Sequence, residues 1–403
     1  MSKNNNNTPR LRFPEFTGEW EEKKISDLFK ISRGYVLPTS ATRAIPDEEY
    51  KYPVYSSQTT NNGLMGFYNK ALYKDAITWT TDGANAGTVK YRKGEFYCTN
   101  VCGVLTSTEG YANLCVAEIL GAVTKNHVSY VGNPKLMNNV MAEIAIFIPP
   151  TPEEQKKIAD CLSEMDNLIS AQAQKVEALK DQKKGMMQQL FPQKGETTPR
   201  LRFPEFTGEW KEKRLKEIFV LRNGYTPLKG EDSYWTDGEI PWFRMEDIRE
   251  KGNVLYDSTQ HITQKAIKGK GCFNANTIIL ATSATIGEHA LIKVAHLANQ
   301  RFVNLEINPM YSREISIEYA YYYMYIIDEI CKSIGNIGTF ASVSTEALSN
   351  LLFVYPSTFA EQQKIADCLF ELDDLIASET KQLEALKDHK KGLMQQLFPQ
   401  PAK

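Results

Sequence analysis

The sequence lacks the short motifs that mark most nucleotide-using and hydrolytic enzymes. Its 403 residues contain no G-x-x-x-x-G-K-[ST] phosphate loop, no G-x-G-x-x-G, no H-E-x-x-H and no G-x-S-x-G. The Asn/Asp-Pro-Pro-Tyr/Phe motif of a base methyltransferase is absent as well, since Pro149-Pro150 lies between a strand-like run and a helix start. These absences favour a noncatalytic protein.

Candidate metal ligands and catalytic bases are also few. The five histidines are scattered and have no clustered carboxylate partners. Residues 46–51 faintly match a nuclease Pro-Asp…Glu-x-Lys motif, but their acidic groups are too crowded for separate strands to converge on a metal. The seven cysteines are odd in number, and no second pair at zinc spacing lies near Cys98 and Cys102. Reduced thiols and no metal site are therefore expected.

Charge and hydrophobicity exclude two further classes. With 47 basic and 49 acidic residues the net charge is −2, which argues against a uniformly basic nucleic-acid coat. Local basic surfaces stay compatible with DNA binding. No apolar run reaches membrane-spanning length, and the N-terminus has no apolar signal-peptide core. We therefore expect a cytoplasmic protein with no membrane partner.

The most informative feature that is present is a tandem duplication. Residues 8–20 recur letter for letter as residues 198–210, and we call each copy the constant motif. Residues 154–193 recur as residues 361–400, with 27 of 40 positions identical. The stretches between these repeats barely match. Two constant parts thus enclose two variable regions, which indicates one kind of object read at two places.

The second repeat predicts a long helix in each copy. Thr151, Pro152 and Glu154 form a capping-box start, Thr358 and Glu361 repeat it, and a proline ends each helix. About 38 residues at 1.5 Å rise make roughly 57 Å of helix. Apolar residues at steps of four and three predict a coiled-coil seam, in which the two helices pack on each other. The seam residues are Ile158, Leu162, Met165, Ile169, Val176, Leu179, Ile365, Leu369, Leu372, Ile376, Leu383 and Leu386, interrupted by Gln172, Lys183, Glu379 and Lys390.

The variable regions predict one mixed α/β fold with two different surfaces. Each begins with a short amphipathic segment, residues 23–30 and 213–219, predicted as helix. Strand-like runs such as residues 76–80 and 277–281 follow, separated by Gly-Asn-Asp loops. A faint skeleton is shared. Pro53 matches Pro241, Gly87 matches Gly287, and Asn100 matches Gln300.

The loops of both regions are rich in groups that can read base edges. Arginine pairs with guanine, asparagine or glutamine with adenine, and serine or threonine with either. Polar loops are also what any soluble protein shows, so these residues are candidates only. In the first region they are Arg33, Tyr35, Ser57, Gln58, Asn61, Asn62, Thr81 and Asn85. In the second they are Arg222, Asn223, Tyr225, Arg244, Ser283, Thr285, Asn299, Gln300, Arg301 and Lys332.

The constant helices carry a family resemblance. Residues 150–162, 359–369, 183–192 and 390–399 resemble the signatures of specificity subunits of type I restriction-modification enzymes. The resemblance implies a mixed α/β (α+β) fold, a pseudo-two-fold tandem repeat with two globular target recognition domains separated by two long antiparallel coiled-coil helices. The expected segments are target recognition domain 1 at 1–150, spacer helix 1 at 151–192, target recognition domain 2 at 193–356 and spacer helix 2 at 357–403.

The resemblance also implies the partners and their cofactors. Each recognition domain contacts one half of an asymmetric site in double-stranded DNA. Two modification subunits bring S-adenosylmethionine and adenine methylation, and two restriction subunits bring ATP, Mg²⁺ and cleavage. The chain itself carries no cofactor, catalyses nothing and works in the bacterial cytoplasm at the nucleoid. Two alternatives are a single-chain restriction enzyme, against which the missing motifs argue, and a noncatalytic scaffold whose modules bind proteins or carbohydrates.

Overall fold

The computed structural model describes residues 7–57, 60–193, 195–269, 271–335 and 342–399. The chain forms two compact units of interleaved sequence. Unit 1 combines the chain through Lys175 with the chain from Glu379 onward, and unit 2 is Val176–Ser378. Each unit therefore contains one variable region and parts of both long helices. We call residues 21–148 domain 1 and residues 210–356 domain 2.

Domain 1 is a six-stranded sheet with helices on one face and a small second sheet at its edge. Its sheet order is β2-β7-β5-β6-β3-β4, and β1 pairs antiparallel with β8. The core lies between the sheet and α2, where Ile77, Leu105 and Leu120 are fully buried. The elements are β1 Glu21–Lys24, α1 Ile25–Leu28, β2 Lys30–Arg33, β3 Tyr52–Tyr55, β4 Leu64–Tyr68, β5 Tyr73–Thr80, β6 Val89–Cys98, β7 Cys102–Thr106, α2 Leu114–Thr124, α3 Asn138–Glu143 and β8 Ala145–Ile148, followed by the long helix α4 Pro152–Leu190.

Domain 2 repeats this plan with a divided sheet. Five strands run in the order β10-β17-β14-β15-β12, three in the order β13-β11-β16, and β18 pairs with β9. Its core includes four buried tyrosines of α7, Tyr319, Tyr321, Tyr322 and Tyr323, of which Tyr323 packs against Phe353 of β18 and Tyr322 against Phe370 of the long helix that follows. The elements are β9 Trp210–Arg214, α5 Leu215–Ile218, β10 Phe219–Asn223, β11 Ile240–Phe243, α6 Met245–Lys251, β12 Val254–Leu255, β13 His261–Ile262, β14 Thr277–Ala281, β15 His289–Ile292, β16 Leu297–Ala298, β17 Phe302–Ile307, α7 Ile317–Gly335, α8 Thr345–Ser349 and β18 Leu352–Pro356, followed by the long helix α9 Phe359–Leu397.

The long helices pack antiparallel in each unit. In unit 1, Lys390 Nζ binds Asp166 Oδ1 at 2.7 Å. In unit 2, Lys183 Nζ binds Asp373 Oδ2 at 2.7 Å. These two ion pairs are the same pair with the helices exchanged, because Asp166 corresponds to Asp373 and Lys183 to Lys390. The mixed α/β class with two long antiparallel helices is therefore confirmed.

All twelve predicted seam residues are buried or half-buried along these helices. The polar interruptions of the seam are paired: besides the lysines above, Gln172 Nε2 donates to Glu379 Oε2 at 2.6 Å. Lys175 Nζ binds the other oxygen of Glu379 at 2.7 Å and lowers the pKa of that carboxyl. Since a polar seam residue is tolerated where it finds a matched partner, these pairs fix the register of the helices.

The constant motif holds the first turn of a long helix. In unit 1, Arg12 binds Glu154 through two parallel hydrogen bonds of 2.7 and 2.8 Å, and Trp20 Nε1 donates to Glu154 Oε1 at 3.3 Å. The Glu154 side chain is only 1% exposed. In unit 2 the same contacts recur between residues 202, 210 and 361. The thirteen identical residues of each constant motif thus bind a buried carboxylate in the first turn of a long helix.

Two sequence expectations need correction. The predicted capping box forms only its threonine half, in which Glu154 N donates to Thr151 Oγ1 at 3.3 Å, because the Glu154 carboxylate is taken by the constant motif. The amphipathic segments 23–30 and 213–219 are not continuous helices. Each contains a four-residue helix between two strands, since its neighbours pair with β8 and β7 in domain 1 and with β18 and β17 in domain 2.

Candidate nucleic-acid interface

The two domains share one backbone arrangement at the ends of their central strands. A Cβ atom on Gly34 would overlap the carbonyl oxygen of Cys98, and one on Gly224 would overlap that of Ala298. Only glycine permits this approach of the loop to the strand end. In both domains the tyrosine after the glycine then donates its backbone N–H to the same carbonyl, at 3.0 and 2.9 Å.

The shared skeleton expected from the sequence agrees with these hydrogen bonds and registers. β3 pairs parallel with β6 at Tyr55 and Cys98, and β11 pairs parallel with β16 at Phe243 and Ala298. The loop after β5 and the loop after β14 each close through a glycine N–H, at 2.9 Å in both domains. The equivalent pairs are Pro53 and Pro241, Thr80 and Ala281, Gly87 and Gly287, Cys98 and Ala298, and Asn100 and Gln300.

In domain 1 the first candidate, Arg33, is held in a cluster of loop residues. Its guanidinium donates to Asn100 O at 2.6 Å, to Asp82 Oδ2 at 2.7 Å and to Thr81 Oγ1 at 3.1 Å. Thr81 is completely buried, and its hydroxyl also donates to Asp82. Thr81 therefore positions Asp82 and Arg33 and does not face solvent.

Other domain 1 candidates surround this cluster. Tyr35 is 62% exposed beside Thr99, with which it forms a bridge. Asn85 Nδ2 donates to Ser57 O at 3.3 Å, which links two loops. The remaining two described candidates, Asn61 and Asn62, are exposed and have left-handed backbones, with φ of 48° and 53°. Gln58 lies outside the described residues.

Domain 2 has an open cleft at the corresponding strand ends. Its volume is about 480 Å³, and it brings together the candidates Arg244, Asn299 and Arg301. The buried Nε of Arg244 has no hydrogen-bond partner among the described residues; the nearest carboxylate oxygen, of Glu246, is 3.9 Å away. An unpaired guanidinium N–H facing a cleft is a donor ready for a ligand. The rest of the lining is Lys229, Asp232, Trp235, Trp242, Met245, Glu246, Gln260 and Phe302.

The turn beside this cleft presents three candidates in succession. Asn299 Oδ1 accepts the backbone N–H of Arg301 at 3.0 Å, so the asparagine shapes the turn. Gln300 is exposed and its amide oxygen accepts the hydroxyl of Thr226. Arg301 is exposed, and its side chain has no ion pair among the residues that the structure describes. Gln300 and Arg301 are therefore the side chains that this turn exposes to solvent.

Two other domain 2 candidates are structural in this geometry. Arg222 binds Glu306 Oε2 at 2.6 Å and lies 4.2 Å from the ring centre of Phe273, with its side chain only 17% exposed. The hydroxyl of Tyr225 donates to Ala266 O at 2.9 Å and accepts from Lys268 N at 2.7 Å. Both side chains thus connect β10 and its following loop to the segment 266–273.

Four candidates lie around this centre. Asn223 Oδ1 accepts the Thr345 hydroxyl at 3.0 Å. Ser283 and Thr285 are half-buried in the loop after β14, where Thr285 N donates to Ser283 O at 2.8 Å. Lys332 lies on α7 and binds Asp328 Oδ2 at 2.7 Å; burial raises the pKa of Asp328. None of these four lines the 480 Å³ cleft.

Sequence reasoning missed several lining residues of the cleft. Lys229 and Trp235 lie in the loop between β10 and β11 and Gln260 lies just before β13, and the fold brings these two segments together. Trp235 packs edge-on against Trp242 with ring centres 5.0 Å apart. The two tryptophans, seven residues apart in the sequence, were the available signal, because large aromatic side chains dominate the packing of cores and interfaces.

The buried titratable groups nearby do not form a metal site in the described part of the chain. A hydrogen bond between the thiols of Cys98 and Cys102 raises the pKa of Cys98 and lowers that of Cys102. Burial lowers the pKa of His289 and of His296 to about 4. Among the described residues no group of three or more His, Cys, Asp or Glu side chains could hold a metal ion. In that same part of the chain, no helix combines the length and the apolar character needed to cross a bilayer.

Comparison with known proteins identifies the family. Residues 17–181 and 207–388 match the model of the type I restriction modification DNA specificity domain. The EcoprrI specificity subunit of a type I restriction enzyme from Escherichia coli is 43% identical over 152 residues, 38% of each chain. The MjaVIII specificity subunit from Methanocaldococcus jannaschii is 25% identical over 417 residues, 96% of this chain and 93% of that one.

A solved structure shows the same fold. The S subunit of a type I restriction-modification system from M. genitalium superposes with a TM-score of 0.61 at 19% identity, over 98% of this chain and 100% of that one. The match to the Escherichia coli subunit spans less than two thirds of that relative's length. Because the family model covers most of both repeats, this chain belongs to the specificity subunits of type I restriction-modification enzymes, a family of noncatalytic DNA-recognition proteins.

Proposed function

We propose that this chain selects the DNA sequence on which a type I restriction-modification enzyme acts, with each domain reading one half of an asymmetric site. The observation that carries the proposal is the shared backbone at the strand ends, which presents different side chains in the two domains. Asn100 in domain 1 is replaced by Gln300 in domain 2, and Val101 by Arg301. Identical readers predict a palindrome, whereas different readers predict two unlike half-sites.

The distribution of charge supports recognition of the DNA sequence by a few individual side chains. The net charge of −2 gives no general attraction to DNA. The cleft of domain 2 nevertheless offers Lys229, Arg244 and Arg301 against Asp232 and Glu246. Base contacts from arginine and amide side chains carry sequence information, and contacts to phosphates fix the position of the protein. Partner subunits then supply the remaining grip on the DNA backbone.

The proposed partners are two modification and two restriction subunits. The modification subunits dock on the long helices and transfer a methyl group from S-adenosylmethionine to adenine. The restriction subunits use ATP and Mg²⁺ for translocation and cleavage. The constant helices suit a docking role, because 27 of 40 positions are identical in the two copies while the readers differ. Two copies of one surface would bind two copies of one partner.

The test is an exchange of one domain. Domain 2 is replaced by the corresponding domain of another specificity subunit, with junctions in the constant motif and at the start of α9. The methylation motif of cells expressing the chimera with the modification subunits should change in one half only. The reciprocal exchange of domain 1 should change the other half. If both halves change in one exchange, or neither does, the assignment of one half-site to each domain is wrong.

The same experiment distinguishes the scaffold alternative. A scaffold that binds proteins or carbohydrates would give no sequence-specific methylation in any combination with modification subunits.

A further inference from the structure

Domain 1 contains a buried arginine with no carboxylate partner among the described residues. Arg92 is only 5% exposed, yet its guanidinium is bound by neutral groups. Nε donates to Thr78 Oγ1 at 3.2 Å and Nη1 donates to Asn62 O at 2.8 Å. The guanidinium carbon lies 3.8 Å from the ring centre of Tyr55. A buried cation is normally paired with an anion, so this one lacks its usual counter-charge.

Arg92 lines a cleft whose residues have the chemistry of an anion-binding site. The cleft has a volume of about 240 Å³ and no acidic residue in its lining. Lys90 stands at its edge, exposed and without an ion pair in the described part of the chain. The hydroxyl-bearing and amide side chains in the lining are Ser56, Asn62, Thr78, Thr80 and Thr88. Two cations and several hydroxyls around one small cavity match the donors that bind a phosphate.

Domain 2 shows that the fold does not need these polar groups. The registers of β5 with β6 and of β14 with β15 place Ala290 where domain 1 has Lys90, and Ile292 where it has Arg92. There both residues are completely buried in an apolar cluster, covered by Met245 and Ile248 of α6. The same sheet face is thus a closed core in one domain and an open, cationic cleft in the other.

The cleft borders the candidate recognition loops of domain 1. Ser56 Oγ accepts the hydroxyl of Thr99 at 3.0 Å, and Thr99 is the bridge partner of the exposed Tyr35. Thr80 and Thr88 are joined by a 3.0 Å backbone bond at the base of the loop that carries Asn85. A DNA strand in contact with these loops would therefore have its backbone next to the cleft.

We propose that this cleft binds one phosphate of the DNA backbone through Arg92 and Lys90, and so fixes the position of domain 1 on its half-site. The inference rests on the proposed function and adds to it a contact that carries no sequence information. In the described part of domain 2, Ala290 and Ile292 take the places of Lys90 and Arg92 and offer no charge to a phosphate. The two domains consequently differ in their contacts with the DNA backbone, because among the described residues only domain 1 has this phosphate contact.

The test uses the full-length chain purified with its modification subunits and a duplex containing its methylation motif. Arg92→Ile copies the residue of domain 2, and Lys90→Gln removes the exposed charge with little risk to folding. The matched control is Lys93→Gln, because Lys93 is exposed on the same strand but on the other face of the sheet. Affinity is measured from low to physiological salt on the cognate duplex and on a scrambled one.

Arg92→Ile and Lys90→Gln should each weaken binding about tenfold on both duplexes. Each should also reduce the slope of log affinity against log salt by about 1, the change for one lost phosphate contact. Lys93→Gln should change neither quantity. Wild-type affinity should fall about tenfold when one particular phosphate of the domain 1 half-site is replaced by a neutral methylphosphonate, and Arg92→Ile should be insensitive to that replacement.

Two results would overturn the cleft assignment and leave the proposed function intact. One is sequence-specific binding by the wild type with unchanged salt slopes for Arg92→Ile and Lys90→Gln. The other is stabilisation of the wild type by inorganic phosphate with no position sensitive to methylphosphonate, which would place a free anion in the cleft. A wild-type complex that does not distinguish the two duplexes would contradict the proposed function itself.

Discussion

The contact of the constant motif with Glu154 gives a prediction for which the second copy of the motif, at residues 198–210, serves as an internal control. Glu154→Gln keeps the shape of the side chain and removes its charge, which leaves Arg12 without a counter-charge next to a buried amide. The Glu154 side chain is 1% exposed and that of Arg12 is 13% exposed. Breaking a buried ion pair by removing one partner destabilises by about 3–5 kcal/mol. At tenfold per 1.4 kcal/mol, even the lower value is roughly a hundredfold change in a local equilibrium.

Amide hydrogen exchange measures this change residue by residue. The motifs at 8–20 and 198–210 have the same sequence and so nearly the same intrinsic exchange rates, and overlapping peptides distinguish them because Glu21 follows one and Lys211 the other. Glu154→Gln should speed exchange in residues 8–20 about a hundredfold and leave residues 198–210 unchanged.

A second variant and a control define the outcome. Glu361→Gln should give the reverse pattern, with faster exchange in residues 198–210 alone. Glu153→Gln removes the same charge from the same helical turn, but Glu153 is exposed, and both motifs should keep their protection. Unchanged protection of residues 8–20 in Glu154→Gln would show that the carboxylate does not hold the motif, and the reasoning would be refuted.

Three further predictions concern reading, pH and spacing. Arg301→Ala should reduce the discrimination between bases at one position of the domain 2 half-site by about 1–3 kcal/mol, which methylome sequencing would show as a less specific motif. Arg222→Ala should lower the free energy of unfolding in urea and leave the methylation motif unchanged. Burial holds the pKa of His289 and His296 at about 4 against about 6.5 in the unfolded chain. Unit 2 should therefore lose about 3 kcal/mol per histidine as the pH falls from 6.5 to 4, and His296→Gln should flatten that dependence in urea melts. If the long helices set the distance between the half-sites, inserting four residues, about one turn, into both helices should lengthen the stretch of unspecified bases between the two halves of the methylation motif and keep both half-sites; an unchanged stretch would contradict that expectation.

The sequence predicted the long helices well because their signals are local and repeated. The start at Thr151 and Pro152, the apolar seam and the closing proline all agree with α4 Pro152–Leu190. The prediction of continuous helices at 23–30 and 213–219 was wrong, because sheet pairing with strands 70 to 146 residues away overrode the helical pattern. Local periodicity cannot show such distant partners.

The candidate site was predictable only in outline. Residue chemistry alone could not separate Arg222 from Arg244, since both are arginines near a strand end. The fold separates them: Arg222 has Glu306 as a partner at 2.6 Å, and Arg244 has a buried Nε with no hydrogen-bond partner among the described residues. No local signal marks Arg92 as buried, because an arginine inside a strand is normally exposed. Which charges are already paired depends on contacts distant in sequence.

The contact between Gln172 and Glu379 has an evolutionary consequence. These residues occupy the same position of the repeat, and they touch each other at 2.6 Å. Were both copies glutamate, two carboxylates would meet in the seam, and were both glutamine, Lys175 would lose its 2.7 Å ion pair. After duplication the two halves have thus become complementary at this point and are no longer interchangeable. A substitution at this position in one copy therefore requires a compensating residue in the other, so the two positions coevolve.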